Sequence, residues 1–137
     1  MPITKGFKQL IAEASAKITT LSLEEAKSKF NQPGTVFVDI RDPRELEREG
    51  MIPGALHAPR GMLEFWVDPE SPYYKDIFGS GQEFIFYCQS GWRSSLATAT
   101  LSEMGLKPIA HIAGGFRAWK EAGLPTADKP IKSPPHQ

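Results

Sequence analysis

Residues 84–94 read FIFYCQSGWRS, and they join an apolar run to a helix-forming segment through the only cysteine of the 137-residue chain, Cys88. Residues 83–87, which are apolar from Phe84 onward, predict a buried strand, and residues 94–104 predict the helix that follows. A thiol between a strand and a helix N-terminus lies among free backbone N–H donors at the positive end of the helix dipole. Both features favour the thiolate, which is the nucleophilic form. The segment therefore predicts an anion-binding loop with a sulfur nucleophile at its floor.

The residues around Cys88 distinguish this loop from an ordinary buried cysteine. A lone cysteine after an apolar strand is most often a small buried hydrophobe, since free cysteine is among the most buried residue types. Gly91, however, allows a turn with positive φ in which successive N–H groups converge on one point. Arg93 supplies a permanent charge, and Ser90 and Ser94 supply hydroxyl donors. A structural cysteine requires none of these, so we expect a functional site.

Short apolar runs alternate with helical patterns along most of the chain, which is typical of an α/β fold. The predicted strands are residues 18–21, 35–40, 55–57, 83–87 and 108–112. The predicted helices are residues 5–16, 23–30, 43–49, 61–67, 94–104 and 116–121. We therefore expect a three-layer sandwich, in which helices cover both faces of a five-stranded, mainly parallel sheet. In such sheets ligands bind beyond the carboxyl ends of the strands. The pattern places there Cys88 and residues 39–42, 59–60 and 114–115.

Charge and composition exclude several classes of partner. Lysine plus arginine equals aspartate plus glutamate at 16 residues each, which argues against nucleic acid or an anionic membrane as the main partner. No uncharged apolar stretch approaches the roughly 20 residues of a membrane span, and the N-terminus lacks the apolar block of a signal peptide. A single cysteine allows no internal disulfide, and no His/Asp/Glu cluster has metal-ligand spacing. We expect a protein of the reducing cytoplasm without a metal.

The number of residues between Cys88 and Arg93 sets the size of the anion that the loop can hold. Cysteine-based phosphatases resemble this arrangement, but they place five residues between cysteine and arginine and wrap a tetrahedral phosphate. Here the intervening residues are four: Gln89, Ser90, Gly91 and Trp92. The tighter ring is better matched to one extra sulfur atom on the cysteine, and it disfavours phosphate-ester chemistry.

Three blocks of sequence, in order, resemble the rhodanese-homology domain, a family of single-domain sulfurtransferases. The first block is the loop of residues 88–94. The second combines residues 38–45 with residues 49–55, and it is similar to the Asp-x-Arg and Gly-His-Ile-Pro-Gly-Ala motifs of the family. The third combines residues 114–119 with residues 123–125, and it is similar to the closing motif of the family.

The resemblance implies a rhodanese-like domain over residues 18–126. We expect a helical extension at residues 1–17 before it and a flexible tail at residues 127–137 after it. The chain departs from the family pattern at two positions. Met51 stands where the family usually has histidine, and Gln89 stands where many thiosulfate-using members carry a basic residue. The missing charge weakens the case for thiosulfate, a dianion, as the natural donor.

The resemblance also implies a sulfurtransferase that works through a persulfide on Cys88 and needs no other cofactor. The thiolate takes a sulfur atom from a small anionic donor such as thiosulfate or a persulfide. A thiophilic acceptor then removes it: cyanide in vitro, and a thiol or a protein cysteine in the cell. The residues expected to hold the substrate and the persulfide are those of the loop, Gln89, Ser90, Gly91, Trp92, Arg93 and Ser94.

Several residues outside the loop have expected supporting roles. Asp39 and Arg41 resemble an ion pair that braces the active loop in this family, and bracing is favoured over catalysis. Arg60 is expected to present a second cation at the pocket mouth, with a solvated surface arginine as the alternative. Trp92 is expected at the pocket rim. The two histidines in short strand patterns, His57 and His111, are expected to be core residues with satisfied hydrogen bonds.

Two other functions remain open at this stage. A sulfur-carrier or protein-binding module with little thiosulfate activity of its own is compatible with Gln89 and with the aromatic-rich segment 63–78. The aromatic side chains of that segment belong either to the core or to a partner-docking surface. A phosphatase or arsenate reductase of the same fold is disfavoured by the short loop and by the absence of a second cysteine.

Overall fold

A five-stranded parallel sheet forms the middle layer of the computed structural model, which describes residues 2–130. Its strands are β1 (Thr20–Leu21), β2 (Thr35–Asp39), β3 (Leu56–His57), β4 (Glu83–Tyr87) and β5 (Ile109–Ile112). The spatial order is β1-β5-β4-β2-β3, and every neighbouring pair is parallel. The strand that ends just before Cys88, β4, is central, with β5 on one side and β2 on the other. The sheet is therefore wholly parallel, where the sequence predicted a mainly parallel one.

Helices of modest length lie before, between and after these strands within the described residues. They are α1 (Phe7–Ser15), α2 (Leu23–Lys29), α3 (Pro43–Glu49), α4 (Leu63–Val67), α5 (Trp92–Glu103) and α6 (Gly115–Glu121), with short 3₁₀ turns at Arg60–Met62 and Asp76–Gly79. A capping box begins α3: the Asp42 side chain accepts from the first turn, and Glu45 accepts from the Asp42 N–H. Pro43 at the first helical position fixes φ in the helical range.

Alternate residues of each strand face opposite sides of the sheet and build two apolar cores. On one face, Ile85 lies in a cluster with residues of α2 and α6, among them Trp119. On the other face, Phe86 lies in a cluster with residues of α4 and α5, among them Leu101. Helices thus cover both faces, which confirms the expected three-layer α/β sandwich.

The helix after the cysteine loop begins at Trp92, two residues before the expected start at Ser94. Gly91 takes the left-handed conformation, with a φ of 104°, and occupies the N-cap position. Glycine reaches positive φ without the steric cost of a Cβ atom, so the chain turns directly from the loop into the helix. Trp92 and Arg93 therefore belong to the first helical turn.

Both ends of the described chain contact the central domain. α1 packs against α5, and the ring of Phe7 lies 4.8 Å from the ring of Trp92, measured between centroids. Ala127, which the sequence places in the tail, exchanges two backbone hydrogen bonds of 2.8 Å with Met51. Backbone pairing with the domain thus reaches residue 127. Residues 131–137 of the expected tail lie outside the described residues.

The aromatic-rich segment 63–78 divides between core and surface. Phe78 is buried, whereas Phe65 and Tyr73 are 52% and 59% exposed. Trp66 is half-buried, and the Lys75 ammonium lies 4.8 Å from the centre of its ring. The core interpretation therefore holds for Phe78, whereas Phe65 and Tyr73 lie outside the core. None of the helices in residues 2–130 has the length and apolar character that a membrane crossing requires.

Replacement of Leu101 by alanine tests the core between α5 and the sheet. Leu101 is fully buried, so truncation leaves a cavity, and we expect the free energy of unfolding to fall by about 2–5 kcal/mol. Denaturant unfolding followed by tryptophan fluorescence measures the loss. Met104→Ala is the control, because it shortens an exposed side chain at the end of the same helix. That control should cost less than about 0.5 kcal/mol; equal losses would contradict the placement of Leu101.

Candidate active site

The Cys88 sulfur lies at the floor of the loop between β4 and α5, and the residue is only 1% exposed. Two backbone donors point at it: the Gly91 N–H, with N···Sγ at 3.2 Å, and the Ser94 N–H, with N···Sγ at 3.4 Å. The Ser94 hydroxyl lies 3.6 Å from the same sulfur. Because these donors sit at the N-terminus of α5, the helix dipole adds to their preference for an anionic sulfur.

The first turn of α6 supports the loop through hydrogen bonds to its backbone. The Phe116 N–H donates to the Cys88 carbonyl at 2.8 Å, and the Arg117 N–H donates to the Gln89 carbonyl at 3.0 Å. Gly115, with a φ of 60°, lies so close that a Cβ atom there would meet the Cys88 carbonyl oxygen at 2.5 Å. This contact explains why residue 115 is a glycine.

Asp39 and Arg41 form a fully buried ion pair beside the loop. The guanidinium donates to both carboxylate oxygens, with Nη2···Oδ2 at 2.7 Å and Nε···Oδ1 at 3.0 Å. It also donates to the Gly50 carbonyl at 2.7 Å and to the Gln89 amide oxygen at 3.0 Å. Burial opposes the charge on Arg41, but the hydrogen bonds and the charge of Asp39 outweigh it and raise the pKa of Arg41. In this geometry the pair supports the loop and does not touch the sulfur.

The side chain of Gln89 links this ion pair to α3. Its amide oxygen accepts from Arg41, and its amide nitrogen donates to a carboxylate oxygen of Glu49 at 3.1 Å. Both ends of the amide are therefore occupied by protein partners. Gln89 does not stand in for a basic residue aimed at the donor, because its side chain braces the loop.

Arg93 is paired with a carboxylate. Its two terminal nitrogens donate to the two oxygens of Glu45 at 2.7 and 2.9 Å. These hydrogen bonds, opposed in part by burial, lower the pKa of Glu45, and in turn Glu45 raises the pKa of Arg93. The permanent charge expected at the loop centre is thus largely compensated by an ion pair at its edge.

The remaining predicted residues are Ser90, Trp92 and Arg60. Ser90 is exposed, and Trp92 is 57% exposed on the outer side of the loop, against Phe7. Arg60 follows the carboxyl end of the sheet, as expected, but its guanidinium binds Glu64 at 2.8 Å. Within residues 2–130 the Arg60 side chain makes no hydrogen bond to the cysteine loop. Arg60 is thus paired with a carboxylate of its own segment, which compensates part of its charge.

The two histidines differ in their surroundings. His111 is buried in β5, and both ring nitrogens have hydroxyl partners, Ser94 and Thr20. His57 is only half-buried, and its Nε2 lies 2.7 Å from the Arg41 carbonyl oxygen. The expectation of a satisfied core histidine therefore fits His111 and fits His57 only in part.

Sequence reasoning did not identify three features that shape the site: the roles of Glu45 and Glu49, and the contact of His111 with Ser94. The two glutamates contact loop residues 48 and 40 positions away in sequence. No local pattern carries that information, although their spacing of four residues places them on one face of α3. Among residues 2–130, no group of His, Cys, Asp and Glu is arranged to hold a metal ion.

A buried thiol at the end of a central parallel strand, ringed by the N–H groups of a helix start, defines an α/β protein with a cysteine-loop site. The model of the Rhodanese-like domain family matches residues 22–122. The chain belongs to that family.

Similar proteins support the same assignment. A sulfurtransferase of Allochromatium vinosum is 37% identical over 90 residues, which cover 66% of this chain and 76% of that protein. An uncharacterized protein of Synechocystis is 31% identical over 116 residues, 85% of this chain, and the match spans only 60% of that relative's length. A solved structure from Rhodopseudomonas palustris is 51% identical with a TM-score of 0.90, and the match covers 93% of this chain and 98% of that one. It is described as a protein of unknown function and possible tyrosine phosphatase. The match to the family and the similarity to the Allochromatium sulfurtransferase together support rhodanese-like sulfur transfer in general.

The variant Asp39→Asn tests the bracing role of the buried ion pair. It leaves the Arg41 guanidinium buried without a counter-charge, so we expect the free energy of unfolding to fall by about 3–5 kcal/mol. Asp42→Asn is the matched control, because Asp42 pairs with Arg44 at the surface and asparagine is an equally good N-cap residue. The control should change stability far less, because an exposed ion pair contributes little. Denaturant unfolding measures both, and a mild effect of Asp39→Asn would show that the pair does not brace the fold.

Proposed function

We propose that the protein is a sulfurtransferase that carries sulfur as a persulfide on Cys88 and passes it to a thiophilic acceptor. The observation that carries the proposal is the pair of N–H donors, from Gly91 and Ser94, within 3.4 Å of the sulfur. Preorganised donors of this kind stabilise developing negative charge without reorganisation. The covalent persulfide needs no further cofactor, and a free thiol of this kind is best kept in a reducing compartment such as the cytoplasm.

In the first step the Cys88 thiolate attacks the outer sulfur of the donor. An S–S bond forms to that sulfur, while its bond to the leaving group breaks and the leaving group keeps the electron pair. The leaving group is sulfite when the donor is thiosulfate, and a thiolate when the donor is a persulfide. The new outer sulfur is itself anionic, and it lies inside a loop whose four intervening residues leave room for little more.

In the second step an acceptor thiolate, or cyanide in vitro, attacks the outer sulfur. The S–S bond to Cys88 breaks, and Cys88 leaves as a thiolate. Since the Cys88 sulfur gains or carries negative charge in both steps, the same N–H donors serve as stabilisers twice. Proton transfer is not required by either step, which agrees with a loop that contains donors and no evident base.

The charges around the loop favour a persulfide over thiosulfate as the donor. Thiosulfate is a dianion, and its binding would benefit from uncompensated cations at the loop. Arg93 is instead paired with Glu45, Gln89 is neutral, and Arg60 is paired with Glu64. The site therefore relies on backbone N–H groups, which suit the single charge of a persulfide sulfur.

A sulfur-carrier or docking role is the second candidate, and one observation favours it. The rings of Trp92 and Phe7 are about half exposed and in contact beside the loop. Exposed aromatic side chains next to a reactive group are common at protein interfaces. Turnover with small donors separates the two functions: negligible activity with thiosulfate, mercaptopyruvate and glutathione persulfide would favour the carrier.

Intact mass after donor treatment tests the persulfide. Exposure to glutathione persulfide should add one sulfur atom, and cyanide should then remove it as thiocyanate. The chain has one cysteine, so the adduct has a single candidate site, and Cys88→Ser should abolish both signals. Persistent sulfur transfer by the serine variant would contradict the mechanism. Hydrolysis of a small aryl phosphate by the wild type alone would instead favour the phosphatase description of the Rhodopseudomonas relative.

The variant Glu45→Gln tests donor selection by charge. It keeps an acceptor for the Asp42 N–H but removes the negative charge opposite Arg93. We expect the ratio of kcat/KM for thiosulfate to kcat/KM for glutathione persulfide to rise roughly 1.5-fold to fivefold, the range that a partly exposed ion pair spans.

Steady-state kinetics with the two donors measures this ratio. Glu47→Gln is the control, because it removes the same charge from an exposed position of α3. The control corrects for the change in net charge. A ratio that moves equally in both variants would mean that the Glu45–Arg93 pair does not select the donor.

A further inference from the structure

The buried imidazole of His111 connects the cysteine loop to the protein surface. Its Nδ1 lies 2.9 Å from the Ser94 hydroxyl, which in turn lies 3.6 Å from the Cys88 sulfur. Its Nε2 lies 3.0 Å from the hydroxyl of Thr20, an exposed residue. Cys88, Ser94, His111 and Thr20 thus form one hydrogen-bonded row that begins at a buried sulfur and ends at solvent.

The direction in which the hydrogen bonds of this row run depends on where the single proton of the Ser94 hydroxyl points. The Ser94 hydroxyl has one hydrogen to donate and can accept others. If it donates to Nδ1 of His111, the sulfur can only donate to it, and that requires a thiol. If Nδ1 carries a hydrogen and donates to Ser94, the Ser94 hydrogen is free to point at the sulfur, as a thiolate requires. The other acceptor near Ser94 is the Gly91 carbonyl, at 3.4 Å.

We propose that His111 is a positioning residue that turns the Ser94 hydroxyl towards Cys88 as a hydrogen-bond donor, with the Nδ1–H tautomer accompanying the thiolate. The inference rests on the proposed function, in which the Cys88 sulfur is anionic as nucleophile and again as leaving group. A hydrogen bond to a charged acceptor is stronger than one between neutral groups. His111 therefore acts on the reaction only through Ser94.

Ionisation of the thiol can run along the row with every atom accounted for. The sulfur gives its proton to Ser94, Ser94 gives its own to Nδ1 of His111, Nε2 gives its own to Thr20, and Thr20 releases one to water. One proton leaves, one thiolate forms, and Ser94, His111 and Thr20 all end neutral. Every bond in the row has then reversed and points towards the sulfur.

The surroundings of His111 suit a neutral ring. Its ring nitrogens are partnered by Ser94 from α5 and Thr20 from β1, both neutral, and Phe86 on β4 is a register partner of His111. Cys88 is the other titratable group in the row. Burial lowers the pKa of His111, because the charged imidazolium is poorly solvated there. The ring therefore stays neutral while the thiol ionises, and a change of tautomer is the response open to it.

Nitrogen NMR of protein labelled in its histidines reads the tautomer directly. The chain has three histidines, and the His111 signals are those lost in His111→Asn. We expect the Nε2–H tautomer while Cys88 is a thiol and the Nδ1–H tautomer when it is a thiolate. Cys88→Ala should show no such change over the same pH range. An unchanged His111 tautomer in the wild type would overturn the proposal.

Alkylation by iodoacetamide at neutral pH reads the thiolate population. Ser94→Ala loses the donor, and we expect alkylation about tenfold slower. His111→Leu loses the Nδ1–H group, so Ser94 can turn to the Gly91 carbonyl, and we expect a decrease of roughly threefold to tenfold. His111→Asn places an amide nitrogen near the position of Nδ1, and we expect a rate within about twofold of wild type.

This ranking separates positioning from packing. Leucine and asparagine both remove the ring, but only leucine removes the donor. Equal decreases in the two variants, or a wild-type rate in His111→Leu, would overturn the proposal. Circular dichroism checks that each variant is folded, and if His111→Leu is not, the wild-type NMR result decides alone. Neither measurement involves a sulfur donor, so a failure of the proposed function would appear only in the mass and turnover experiments.

Discussion

The buried guanidinium of Arg41 is the constraint on which the geometry of the site depends. A charge with no access to water must be paired and hydrogen-bonded, or it costs several kcal/mol. Arg41 meets this requirement with Asp39 on its own strand end, Gly50 after α3, and Gln89 in the cysteine loop, while its guanidinium carbon lies 4.4 Å from the centre of the Phe116 ring. One side chain thereby fixes three separate segments relative to one another. The loop cannot move without leaving part of this cation unsatisfied.

This arrangement divides the work of the loop between side chains and backbone. The side chains of Gln89 and Arg93 turn outward to Glu49 and Glu45, two carboxylates on one face of α3. The backbone N–H groups of Gly91 and Ser94 turn inward to the sulfur. Stabilisation of an anionic sulfur thus comes from the fixed dipoles of the backbone N–H groups. The charged side chains instead keep the loop in position against α3. Such a site needs little net positive charge, in keeping with a chain that has none.

Local features of the sequence were enough to predict the strands, the layer structure and the position of Cys88. Each apolar run is bounded by polar, glycine or proline residues that lie close to it in sequence. The cysteine, glycine and arginine of the loop are likewise close together in sequence. Contacts between distant segments were not predictable in this way. Gln89 was interpreted as a missing positive charge because its partner Glu49 lies 40 residues away. The start of α5 was placed two residues too late, because Gly91, with the positive φ that the sequence allowed, is itself the N-cap and the helix begins directly after it.

The strand order gives the two sides of the cysteine different characters. Between β4 and one edge of the sheet lie β2 and β3, and on that side Asp39 and Arg41 form a rigid charged pair. Between β4 and the other edge lie β5 and β1, which supply His111 and Thr20. Since β1 is an edge strand, a row of side chains from the sulfur reaches solvent after crossing only two strands. Neutral groups can carry a proton away from the sulfur only where their hydrogen-bonded row reaches solvent. The Asp39–Arg41 pair therefore holds the loop in place. The hydrogen bonds of His111 and Thr20 can reverse their direction when the charge on the sulfur changes.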